Sequence, residues 1–138
     1  MSTAPLARMN SLRSCRLFGW AVIAFLFAFA LVNAQERLYG DASYYLMRVV
    51  NGHTFHVEHG RYVLALAELL PILGVWCGLP LNVLVVLYSL NNVFFLAVIF
   101  LVLTEVLHDE RAAIALVAVR LIGLTHGLFC PMFELYYG

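Results

Sequence analysis

The chain has 138 residues, 64% of them hydrophobic and 12% charged, with eight basic and eight acidic side chains and a formal net charge of zero. A soluble domain is about 45–50% apolar and about 25% charged, so a mean hydropathy of +0.92 excludes a single soluble core of this length. The neutral balance gives no electrostatic footprint for nucleic acid, and the three cysteines, Cys15, Cys77 and Cys130, lie too far apart for a disulfide framework or metal motif and read as small apolar packing residues.

Residues 1–16 are polar and carry Arg8, Arg13 and Arg16 just before an apolar block over 17–34. A basic flank holds that end of a first span in the cytoplasm. The block is long enough to cross a bilayer as a helix, the conformation that satisfies every backbone group in lipid. It also reads as a signal peptide, with Val32-Asn33-Ala34 before Gln35 as a small-residue cleavage site. Its length and its phenylalanines favour a retained span. On either reading residues 35–61 form an outer loop.

Within that loop Asp41 is placed to N-cap a helix over 42–50, and Asn51-Gly52 to end it. Tyr39, Tyr44 and Tyr45 suit the headgroup region, so the helix is expected to lie on the outer leaflet. His53, His56 and His59 follow beside Glu58. Three imidazoles can hold a transition metal, but this spacing spreads them around a helix and splits them across a strand. Solvated loop histidines are the plainer reading.

A second apolar block, 62–78, contains Glu68 and Pro71 and is near the lower length limit for a span. Gly78-Leu79-Pro80 makes a turn into a third block, 81–107, long enough to cross with tilt. His108-Asp109-Glu110-Arg111 separates it from a fourth, 112–130. Two topologies follow. Either all four blocks span, or block two is re-entrant, which moves Arg111 inside and residues 133–138 outside. The first is the favoured expectation: an all-α, polytopic membrane helical bundle of about four transmembrane helices plus one interfacial helix, filling 17–138. The chain stops almost directly after an apolar block, as either a very small membrane protein or the front end of a larger one would.

Charges inside a bilayer cost about 2.5–3.5 kcal/mol each on insertion scales. Arg120 in block four and Glu68 in block two are therefore expected to form an interhelical ion pair, or else to line a polar functional site. Glu105 can snorkel to the interface. Asn91 and Asn92 read as interhelical hydrogen-bonding groups.

The order of basic N-terminus, one span, then an outer loop carrying Asp41 in Tyr39-Gly40-Asp41-Ala42-Ser43-Tyr44-Tyr45 ahead of an interfacial helix resembles the start of GT-C glycosyltransferases. These are large polytopic enzymes that use polyprenyl-phosphate sugars. The resemblance implies that Asp41 acts as a catalytic base or helps hold a divalent metal. It implies a second acidic group in the next outer loop, Asp109 or Glu110 if four blocks span. Pro131-Met132-Phe133-Glu134-Leu135-Tyr136 is similar to a segment of some bacterial membrane proteins of like build, and Glu134 could join Asp41 only if block two is re-entrant. On this likeness the chain is a front fragment in the cell inner membrane. Its partners would be the bilayer, a polyprenyl-phosphate sugar and other membrane subunits. The competing reading is a small accessory or structural subunit without enzymatic activity.

Overall fold

The structure is a computed structural model that describes residues 4–38, 40–57 and 62–123, with the backbone alone over 4–13. Among these residues every regular element is helical: α1 (Ala4–Val32), a 3-10 turn (Glu36–Leu38), α2 (Asp41–Gly52), α3 (Leu64–Ala67), α4 (Leu69–Trp76), α5 (Leu81–Leu101) and α6 (Glu110–Ile122). α5 runs on into a π-turn over Val102–Val106. There Thr104 turns its hydroxyl back onto the Phe100 and Leu101 carbonyls. Such back-bonding competes with the helical ladder, and π-turns arise where that ladder is disturbed.

Two helical stretches are long and apolar enough to cross a membrane: Ser14–Val32 in α1, 19 residues, and Leu81–Val106 in α5 with its π-turn, 26 residues. They run antiparallel. Trp20 packs edge-on against Phe100 with ring centroids 5.3 Å apart, and ten residues later the Ala30 carbonyl accepts the Ser89 hydroxyl at 2.7 Å. Gly19 is what allows the close approach, since a Cβ there would overlap the Phe100 ring.

Residues 33–80 leave and return at one end of this pair. Val32 and Asn82 line the same cleft. α4 descends against α5 in the opposite sense, with Gly74 facing Leu84 and Leu87 and the Leu70 amide reaching Asn91. The α3–α4 break therefore lies roughly 15 Å along α5 from its start, at about 1.5 Å per residue. At the other end Arg16 of α1 meets Glu105 of the π-turn and Glu110 of α6. α6 starts there and packs back along α1.

Two apolar cores follow. One joins Ala42, Leu46 and Val49 of α2 to Leu64, Ile72, Leu84 and Tyr88. The other joins Ile23, Leu26 and Ala30 of α1 to Val93, Leu96 and Phe100 of α5 and to Ala113 and Val117 of α6. The outer faces of α1, with Leu17, Phe18, Phe25, Phe27 and Val32, are exposed and apolar.

Three expectations need correction. The described chain has two helices of spanning length and composition rather than about four. Block two is split at Glu68 into helices of 4 and 8 residues. Pro71 explains the break, because its ring would strike the Ala67 carbonyl of a continuous helix and it has no N–H to give. Block four is described only to Gly123, with a helix of 13 residues, and the rest of the block lies outside the described residues. Finally, α2 is capped not by Asp41 but by Gly40, at φ 63, and Asp41 is its first helical residue. α2 buries its apolar stripe of Ala42, Leu46 and Val49 against the protein.

Candidate functional site

The acidic residues singled out from the sequence separate to opposite ends of the α1–α5 pair. At the Arg16 end Asp109 caps α6, its Oδ1 accepting from the Arg111 and Ala112 amides at 3.1 and 3.0 Å. Glu110 pairs with Arg16, which also reaches Glu105 at 3.0 Å and the Thr104 carbonyl at 3.1 Å. These carboxylates hold three helices together. The structure does not bring them to Asp41.

Asp41 stands at the other end, exposed in the first turn of α2. It takes part in no hydrogen bond or ion pair among the described residues. The buried stripe of Ala42, Leu46 and Val49 fixes the helix beneath it. Arg48, two turns on, shares its side of the helix and lies 5.4 Å from the Tyr44 ring centroid. Nearby in the chain, a cleft of about 220 Å³ opens between the end of α1 and the start of α5, lined by Leu31, Val32, Gln35, Glu36, Asn82 and Val85 among others.

Behind α2 runs a buried polar seam. Asn91 spans the α3–α4 break: its Nδ2 donates to the Leu66 carbonyl at 2.7 Å and its Oδ1 accepts from the Leu70 amide at 3.0 Å. Asn92 Oδ1 accepts from Arg37 Nη2 at 3.3 Å. Glu68 is fully buried at the break, and its Oε2 accepts the His56 amide at 2.6 Å. Burial pushes the Glu68 carboxyl up to about 7, against the opposing pull of the His56 amide and the His56 charge. Glu68 lies on neither helix of spanning length.

Glu68 and Arg120 do not pair. The Glu68 bond comes from His56, while Arg120 is buried on α6, which packs against α1 and the π-turn. His53 ends α2 at φ 53, and its carbonyl accepts the Trp76 indole N–H at 3.1 Å. The His56 ring lies against Tyr44 and Tyr45, with centroids 6.0 and 5.8 Å away. His59 and Glu134 lie outside the described residues. Among the described residues no three His, Cys, Asp or Glu side chains converge to hold a metal.

Sequence reasoning missed Arg37, which is only 2% exposed, and Arg16 as a three-way anchor. Arg37 follows Gln35 and Glu36 in what reads as a polar loop, so nothing local marks it for burial. Its signal is distant, in Asn92. Searches of protein-family models, curated proteins and solved structures find no match to this chain.

Proposed function

We propose that the chain is a multi-pass membrane module corresponding to the front part of a lipid-linked-sugar glycosyltransferase, with Asp41 as the base on the outer face. Arg8, Arg13 and Arg16 favour a cytoplasmic location for their end of α1. Asp41 then faces outward, and Asp109 and Glu110 face inward and drop out of the site. The observation that carries this reading is an exposed carboxylate without a hydrogen bond, fixed on a packed helix at the end opposite Arg16. Its setting matches the first outer loop of the resembling family.

In this reading Asp41 takes the proton of an acceptor hydroxyl, and the freed oxygen attacks the anomeric carbon. The bond to the lipid phosphate breaks, and that phosphate leaves as an anion beside a cation such as Arg48. General-base assistance of this kind contributes about 10²–10⁴-fold. The test is transfer from a polyprenyl-phosphate sugar by the complete membrane-embedded protein. Asp41→Asn is expected to lower transfer at least about a hundredfold while leaving the protein folded. Unchanged transfer overturns the proposal.

A second reading, an accessory subunit without chemistry of its own, draws on the polar seam. Asn91 and Ser89 make bonds between helices rather than facing a cavity. It predicts that Asp41→Asn is silent and that Arg120→Leu disturbs assembly with partner subunits.

A further inference from the structure

Glu68 is 0% exposed and sits at the one-residue break between α3 and α4. One carboxyl oxygen holds the His56 amide, and the other, Oε1, has no hydrogen-bond partner among the described residues. An ionised carboxylate offers about four lone-pair sites, and here one donor serves them. Burying a charge so poorly compensated is costly, whereas the neutral acid asks for less.

We propose that Glu68 is a proton-binding site that latches the segment after α2 onto the α3–α4 break, closed when the carboxyl is protonated and loosened when it ionises. This does not depend on Asp41 being a base. The surroundings leave Glu68 as the switch. α3, α4 and α5 carry no charged side chain. α5 presents the uncharged Asn91, which bonds the backbone on both sides of Glu68. From α2 come Tyr44 and Tyr45, which meet the His56 ring. Arg37 of the 3-10 turn is engaged one position along, at Asn92. α5 also brings Tyr88 into the core beside Ala67 and Ile72, and among the described residues the titratable group acting on Glu68 is His56, through its amide and its charge, both of which favour ionisation. Desolvation outweighs them, so the folded carboxyl titrates at about 7 against 4.5 for the free group.

The sign follows from proton counts. Between 4.5 and about 7 the closed form holds a proton that the opened form has lost. Stability of the closed form is therefore full below 4.5 and falls as pH rises through about 7. Opening lets water reach Oε1 and releases the His56 amide, the tether between the segment after α2 and the α3–α4 break.

Trp76 reports on this seam. Its indole N–H holds the His53 carbonyl, and its ring meets Phe55 at 6.3 Å. The chain has two tryptophans, so Trp20→Phe leaves Trp76 as the sole tryptophan, excited selectively over the tyrosines. The experiment follows Trp76 emission and acrylamide quenching of the full chain in phospholipid nanodiscs, from about pH 5 to about pH 9. Emission should redden and quenching should rise as pH increases between 4.5 and about 7 and level off above that. Glu68→Gln should abolish the transition, and His56→Asn, which keeps the backbone N–H, should retain it. Glu68→Met, a second non-titrating variant, should also be flat. A wild-type signal that does not change overturns the latch, and so does a transition that survives in Glu68→Gln and Glu68→Met. Loss of the transition in His56→Asn alone assigns the switch to the imidazole and overturns the proposal as well.

Discussion

Asn91 shows what a single amide can do where a helix breaks. The split at Glu68 leaves backbone groups without helical partners, and the Asn91 side chain answers two of them at once, the Leu66 carbonyl and the Leu70 amide. Leaving a buried backbone group without a partner costs about 1–3 kcal/mol. Asn91→Leu is therefore expected to destabilise the protein by about 2 kcal/mol or more, seen as a lowered midpoint of thermal unfolding in nanodiscs. A midpoint within error of wild type would mean that the clamp contributes nothing. The role of Asn91 as a hydrogen-bonding link was legible, because an amide in an apolar helix has few other uses. The partner of Glu68 was not. Its pairing with Arg120 was inferred from charge alone, while the geometry gives Glu68 a backbone amide twelve residues upstream.

At the scale of the element, the caps of α2 and α6 exchange the roles the sequence suggested. Asp41 has the residue type of a cap, but Gly40 occupies that position and Asp41 lies one residue inside. Asp109 is the cap that works, with two amides on its Oδ1. Replacing a working N-cap by Ala costs about 1 kcal/mol, whereas an exposed first-turn acid contributes only about 0.3–1 kcal/mol through the helix dipole. Asp109→Ala is expected to lower the unfolding midpoint more than Asp41→Ala. The reverse order would put the cap on the wrong residue. α2 itself was legible from its apolar positions, since Ala42, Leu46 and Val49 recur at helical spacing. Block two misled because its composition is that of a span. Hydropathy averages over Glu68 and Pro71, where the helix breaks. Gly74 allows α4 to pack closely on α5, since a Cβ there would come within 2.6 Å of Leu84 and 2.8 Å of Leu87.

For the whole molecule, the all-helical class and the two long apolar helices follow from composition and length. The end at which each connection lies does not. That was encoded in contacts remote in sequence. Arg16 bonds Glu105 and Glu110, while the Ala30 carbonyl takes the Ser89 hydroxyl. Periodicity carries no information about such pairings. They put the α5–α6 connection at the Arg16 end and α2, α3 and α4 at the other, and they divide the acidic residues into Asp41 on one side and Asp109 with Glu110 on the other. The reading of Asp41 as an outer-face base stands on this division.

The most direct test of that division is labelling of single cysteines in intact cells with a membrane-impermeant thiol reagent. Asn51→Cys on α2 and Arg111→Cys on α6 are exposed positions, introduced one at a time after the native cysteines are replaced by serine. The account predicts that position 51 labels from outside and that position 111 labels only once the membrane is opened. Labelling of both positions in intact cells would put the two ends on one side and contradict it.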